Sequence, residues 1–348
     1  MHGSADATAP DLASGHPIHP EGSDFSGPLF IVGMPRSGTK LLRDLLNQHP
    51  DVAIPTVESH FIPVLSKRAE LVRRCRNDNE AYARLYSVLS RTHFALLQAE
   101  LGEWPDAQSL RAQIRKETWP GVLEAIFMSY ARRHDARIWG DKTPQYLIHV
   151  ILLARLFPSA RFIHIVRDVR DYALSSHKVW GKHLYRSALR WEEDIAAAKE
   201  QAAALHPGAW LEVHYEDLLR DPDTTMANVC GFLQIEYSSS VARLQKPAEN
   251  LGDTSGRTEL DTGNIAKWQR ELTERQVLRI EEIAFNTMKR TGYETNFATS
   301  YRSVDGVRQL AYKLHDWSAI FLFKLRSESG LRRALQNIVS SWRFREHQ

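Results

Sequence analysis

At 348 residues, with 43% hydrophobic and 25% charged side chains, the chain has the composition of an ordinary globular protein, which excludes a disordered or collagen-like polymer. Its 45 Lys and Arg against 42 Asp and Glu leave a net charge of +3, which argues against bulk nucleic-acid binding but permits a local anion pocket. Two cysteines, Cys75 and Cys230, lie far apart in helix-like stretches, so no disulfide framework or Cys-based zinc site follows, and both read as buried apolar side chains.

Residues 1–26, rich in Gly, Ser, Pro, Ala and His, have no apolar run of the kind a secretory signal needs and read as a disordered tail. No segment reaches the roughly 18 apolar residues that span a bilayer; Trp317 to Phe323 comes nearest and runs into Lys324 and Arg326. A cytoplasmic location is the resulting expectation. Leu29 to Val32 is a short apolar run suited to a buried strand, and it feeds Gly33-Met-Pro-Arg-Ser-Gly-Thr-Lys40, after which Leu41, Leu42, Leu45 and Leu46 have helical spacing. From about Val64 to Ala136 the pattern is mostly helical, with a stripe of Leu85, Val88, Leu89, Leu96 and Leu97 and breaks at Pro105 and Pro120; it reads as a helical insertion.

Ile138-Trp139 then leads into Gly140-Asp-Lys-Thr-Pro144, where Thr143 is placed to cap and Pro144 to begin a helix running from Tyr146 to Phe157. A second strong strand is Arg161 to Val166, followed by Arg167-Asp-Val-Arg-Asp171 and a helix-like stretch with Ser175 and Ser176. A third is Trp210 to Tyr215, with a helix ending near Phe232. Strands alternating with helices predict an α/β fold whose parallel sheet is covered on both faces. Val304 to Gln348 mixes Trp317, Ile320, Phe321, Leu322 and Phe323 with Lys313, Lys324, Arg326, Arg332 and Arg333; packing on the main domain is the first expectation, contact with a membrane surface or a second copy the other.

A strand-to-helix turn presents backbone N–H groups at the positive end of a helix dipole, so Gly33 to Lys40 suits a phosphate. The Walker A lysine would directly follow the second glycine, whereas Gly38 is followed by Thr39 and then Lys40, with Arg36 inside the loop. A purely structural turn is the plain alternative. Pro35-Arg-Ser-Gly-Thr-Lys-Leu-Leu42 resembles the 5′-phosphosulfate loop of sulfotransferases that use 3′-phosphoadenosine 5′-phosphosulfate (PAPS). Val166-Arg167-Asp168 with Ser175 eight residues after the arginine is similar to that family's 3′-phosphate element. Two such loops are more specific than one, and arginine's planar donor fork suits phosphate. Taken singly, Arg167 would pair on the surface with Asp168 or Asp171.

Within the family the resemblance runs to tyrosylprotein sulfotransferases, through His49-Pro-Asp-Val52 and then Glu58, His60, Phe61, Ile62 and Pro63. It implies that Glu58 is the general base, that Lys142 in Gly140-Asp-Lys-Thr-Pro144 is the catalytic lysine, and that Tyr215 lies by the adenine. Ala266-Lys267-Trp268 looks like a Ser-Lys-Trp element and puts Lys267 at the cofactor. The chain departs from the pattern at Ala266, at Thr39-Lys40 in place of Thr-Thr, and by one extra residue before Glu58.

The implied fold is a P-loop-like parallel sheet flanked by helices: tail 1–26, sulfotransferase domain 27–300 with an insertion at about 67–136, and a helical C-terminal extension 301–348. The implied chemistry moves the sulfuryl group of PAPS to a hydroxyl of a small molecule, sugar or lipid and leaves adenosine 3′,5′-bisphosphate. Arg36, Lys142 and the N–H groups of Ser37, Gly38, Thr39 and Lys40 would hold the sulfonate, and Arg167 and Ser175 the 3′-phosphate; Arg257 lies in the Gly- and Thr-rich loop Gly252–Gly263, which reads equally as a cover over the cofactor or as an ordinary mobile loop. Glu58 would serve as base if burial raised its pKa toward neutrality, with His60 the alternative. No metal is expected, since the sequence offers no compact Asp/Glu/His cluster. The plain alternatives are a helix cap for Glu58, a solvated loop for Lys142, and core or pocket-wall positions for Tyr215 and Trp268. The rival functions are a P-loop kinase and a non-catalytic nucleotide-binding scaffold.

Overall fold

The computed structural model describes residues 25–75, 77–90, 107–115, 118–247, 253 and 255–327. Five parallel strands form one sheet in the order β2-β3-β1-β4-β5, with β1 Leu29–Gly33, β2 Val52–Ala53, β3 Ile138–Lys142, β4 Arg161–Val166 and β5 Trp210–His214. The fully buried β1 sits at the centre, in register with β3 from Leu29 opposite Gly140 to Ile31 opposite Lys142. Its uninterrupted apolar sequence is what burial on both faces demands.

Two apolar cores flank the sheet. One gathers Phe30, Val32, Trp139, Phe162 and Trp191 with the helices Trp119–Arg133, Leu184–Ala203 and Glu274–Arg290; the other packs Leu29, Ile31 and Ile163 against Thr39–Leu46 and Pro222–Leu233. Alternate residues of β1 therefore serve opposite cores, as a two-residue side-chain period requires. Cys75 and Cys230 are buried thiols outside any disulfide, and burial pushes both up to about 11.

Three sequence readings are corrected. Ile138-Trp139 is the start of a strand that continues to Lys142, so Lys142 lies on the sheet and not in a solvated loop. The segment after it is a 3₁₀ turn over Pro144–His149, with an α-helix only over Val150–Leu156; the Thr143 hydroxyl makes no cap bond and turns to Asp141. Phe25, assigned to the tail, is buried beneath the Arg161 guanidinium at 4.3 Å, while 1–24 lie outside the described residues. The sequence reading also missed β2, whose two residues are too few for any periodicity.

In the insertion, helices cover Ala69–Arg74, Asn79–Ser90, Ala107–Gln113 and Trp119–Arg133, after a short helix over Ile62–Ser66, and Leu85 is fully buried; Leu96 and Leu97 lie outside the described residues. The C-terminal helix Gly306–Ser327 docks through Tyr312, stacked 4.0 Å from His183, and through Asp316, which accepts the His183 N–H at 2.7 Å. Val307, Leu310, Leu314 and Trp317 on it remain exposed. Among the described residues no helix is long and apolar enough to cross a membrane.

Candidate active site

Parallel strands deliver their following loops to one edge of the sheet, and the site is built there, after β1, β3, β4 and β5. The β1 turn enters the helix Thr39–Leu46 through Gly38, whose φ of 92° favours glycine. A Cβ at Gly38 would also lie 2.4 Å from the Tyr215 ring, so the glycine is needed for close approach. Ser37 is wholly buried, and its Oγ has no hydrogen-bond partner among the described residues.

Arg167 follows β4 and is 4% exposed, so it is not a surface ion-pair residue. Its Nη1 donates to the Arg36 carbonyl at 3.1 Å, its Nη2 to the Asn264 carbonyl at 3.0 Å, and its guanidinium lies 4.5 Å over the Tyr215 ring. Its Nε, also buried, has no partner among the described residues. Asp168, its expected partner, instead holds Arg170 and caps the helix Val169–Trp180. Arg36 Nε reaches Ser175 Oγ at 3.4 Å, joining the two predicted loops.

Two open pockets, of about 500 and 370 Å³ with the solvent at their mouths included, share Arg36, Arg167 and Asn264 in their walls. The larger is walled by Leu41, Tyr215, Leu219, Leu244 and Leu260 and suits a planar base; the smaller carries Ser175, Lys178 and Lys267 and suits an anion. Lys178 and Lys267 both donate to Asp253, at 3.1 and 2.8 Å. Arg257 lines the larger pocket but is half-exposed and paired with Asp261.

On the other side of the turn, Lys142 Nζ donates to Glu58 Oε1 at 2.5 Å, and His60 Nε2 meets Glu58 Oε2 at 2.9 Å. Burial raises the Glu58 carboxyl, but His60 and Lys142 outweigh it and hold the group at about 2. The expected rise toward neutrality is therefore reversed, because burial brings a cation with it. Burial pushes Lys142 below the ordinary lysine value, against the pull of Glu58. Glu58 caps no helix: the next one begins at Ile62, with Phe61 at its N-cap position.

The sulfotransferase family model matches residues 28–239, a span that contains the β1 turn, Glu58, Lys142, Arg167 and Tyr215. The chain belongs to the sulfotransferase family. It is similar to protein-tyrosine sulfotransferase 2 of Gallus gallus, 26% identical over 69% of this chain and 60% of that protein, and to protein-tyrosine sulfotransferase 1 of Danio rerio, 26% identical over 76% and 72%. It thus spans between three-fifths and three-quarters of the length of these two relatives. In fold it is similar to the sulfotransferase domain from the curacin biosynthetic pathway, with a TM-score of 0.53 at 18% identity over 79% of this chain and all of that one. Sulfotransferase membership decides against the P-loop kinase alternative.

Sequence reasoning missed the residues of this sulfotransferase that pin the Glu58 loop. Arg43 Nη1 donates to the Thr56 carbonyl at 2.7 Å, and the Asn47 side chain both donates to and accepts from the Ile54 backbone, at 2.8 and 2.9 Å. Ser59, Asp141, Thr143 and Tyr146 close the other side. Their one sequence signal was proximity to Glu58 and Lys142. Among the described residues no cluster of His, Cys, Asp and Glu is arranged to hold a metal ion.

Proposed function

We propose that this sulfotransferase moves the sulfuryl group of PAPS to a hydroxyl of a small-molecule, carbohydrate or lipid acceptor, with Glu58 taking the acceptor proton. The observation that carries this reading is the convergence on the Gly33–Lys40 turn of an arginine-lined pocket on one side and a carboxylate–lysine pair on the other. Tyrosyl hydroxyls are a further acceptor class, supported by relatives named protein-tyrosine sulfotransferases.

The residues fit the cofactor: the unpartnered Ser37 Oγ and Arg167 Nε are buried donors awaiting an acceptor, and Gly38 leaves the turn open beside Tyr215. PAPS supplies, when bound, an activated sulfuryl group on a phosphate leaving group. Arg36 and the N–H groups of Ser37 to Lys40 would hold the phosphosulfate, Arg167 and Ser175 the 3′-phosphate, and Tyr215 the base, with Lys267 and Arg257 at the rim. Lys142, wholly buried, supplies a fixed positive charge where negative charge grows. Glu58 is held well below the ordinary carboxylate range and is ionised at neutral pH, the state a proton acceptor needs. His60, bonded to Glu58, steadies the carboxylate that accepts the proton.

The test is an acceptor screen with isotopically labelled PAPS, reading transferred sulfate by mass. Glu58→Gln should retain binding of adenosine 3′,5′-bisphosphate while turnover falls by roughly 10²–10⁴. Turnover near normal in a folded Glu58→Gln protein removes the base assignment, and comparison with His60→Ala shows whether the imidazole does the work. A non-catalytic scaffold predicts no transfer to any acceptor.

A further inference from the structure

Behind the Glu58–Lys142 pair lies a second rung between the same two segments. Ser59 Oγ donates to Asp141 Oδ2, and Thr143 Oγ1 donates to Asp141 Oδ1 at 2.8 Å. Ser59 N–H donates to Thr143 Oγ1 at 3.0 Å, and Ile62 N–H to the Tyr146 phenol oxygen at 3.1 Å. Tyr146 and Ser59 hydroxyls are 2.7 Å apart. All four side chains are buried, so water is not available to replace a missing partner.

The proton count fixes the direction of this chain. A hydroxyl has one hydrogen, and Ser59 gives its own to the carboxylate, so Tyr146 must donate to Ser59. Each link then points toward Asp141: Ile62 N–H to Tyr146, Tyr146 to Ser59, Ser59 to Oδ2, and Thr143 to Oδ1. If Asp141 carried a proton on Oδ2, that proton would face Ser59, and the Ser59 hydroxyl hydrogen would lose the acceptor it has in the carboxylate. The segment also carries strain that something must hold: His60, between Glu58 and Ile62, has φ 51°, a left-handed conformation uncommon for a side chain other than glycine.

We infer that Asp141 is a positioning residue whose carboxylate anchors this one-way chain and thereby fixes, through Ser59, the aim of Glu58 at Lys142. Asp141 and Lys142 are consecutive in β3, as are Ser59 and Glu58 in the facing loop, so the two rungs share one frame. Shifting the buried rung shifts the catalytic one. The burial that pushes the Asp141 carboxyl up to about 6 is opposed by the Ser59 and Thr143 hydroxyls, which favour the anion. The catalytic meaning of this frame rests on Glu58 acting as the base.

The test reads the aim of Glu58 without needing an acceptor. The full chain is labelled with ¹³C-carboxyl glutamate, and the Glu58 signal is assigned by its loss in Glu58→Gln. In the wild type it titrates at about 2 and remains that of a carboxylate down to pH 4. In Ser59→Ala, which removes one hydroxyl and no charge, the midpoint should climb by at least one pH unit, a change of about tenfold in proton affinity, because Lys142 and His60 no longer sit squarely on the carboxylate. Asp141, up at about 6, is already neutral where Glu58 titrates, so Asp141→Asn is read at pH 7, where the Glu58 carboxyl resonance should move in the direction that Ser59→Ala moves it. An unchanged or lowered midpoint in folded Ser59→Ala, or an unmoved Glu58 resonance at pH 7 in folded Asp141→Asn, overturns the inference. The base assignment is judged separately by Glu58→Gln turnover, so the two can fail independently.

Discussion

Replacing Glu58 by glutamine should destabilise the protein as well as slow it, in a pH-dependent way. Lys142 is wholly buried, and its ammonium is balanced by a Glu58 side chain that is 27% exposed. A carboxyl held at about 2 rather than at 4.5 corresponds to roughly 3 kcal/mol of preferential interaction in the folded state, at about 1.4 kcal/mol per tenfold. Discounted for the solvent that reaches Glu58, about 2 kcal/mol should be lost at pH 7. Because the folded-state pKa is depressed, this stability is fully present above about pH 4.5 and is lost as pH falls toward 2. Urea denaturation of wild type and Glu58→Gln at pH 7 and pH 3.5 should therefore show a gap that narrows in acid. Adding Lys142→Met should recover much of the loss at pH 7, since it removes the stranded charge. A gap of equal size at both pH values, or losses that simply add in the double variant, would refute the reasoning.

Arg167→Ala should weaken adenosine 3′,5′-bisphosphate by roughly 10- to 100-fold in calorimetry, the worth of about 1.5–3 kcal/mol for a charge-assisted contact, and should leave adenosine 5′-monophosphate much less affected. An equal loss for both ligands would move the 3′-phosphate site away from Arg167. Gly38→Ala should abolish nucleotide binding, because its methyl group meets the Tyr215 ring at 2.4 Å from a backbone with φ 92°; retained affinity by the same assay would contradict the packing. A chelator should leave sulfate transfer to an active acceptor from the screen intact, since Arg36 and Lys142 supply the positive charge, and loss of transfer that magnesium restores would argue for a metal.

Much of the site was legible as sequence because it lies in loops of short range. A glycine-bearing turn after an apolar strand is a local pattern, and the arginine after another strand with a serine eight residues later was marked by resemblance to the family; Arg36, Arg167 and Ser175 do meet around one pocket. Tyr215 was marked by the same resemblance, and it lines the adjoining pocket. The acceptor is not legible, because no motif in the sequence names it.

The alternation of strands with helices, the apolar β1 and the turn that follows it came from the sequence alone, because burial on two faces and a left-handed glycine leave local marks. The state of Glu58 did not. Its pKa depends on His60, two residues on, and on Lys142, 84 residues away along the chain, and a sequence that predicts burial does not say whether a cation is buried with the carboxylate. The same holds for Asp141, which pairs with Ser59 across 82 residues, and for the C-terminal helix, whose amphipathic pattern left open that Tyr312 and Asp316 would settle on His183. Local chemistry marks which side chains are able to act; long-range packing, by choosing their partners, sets the charges with which they do so.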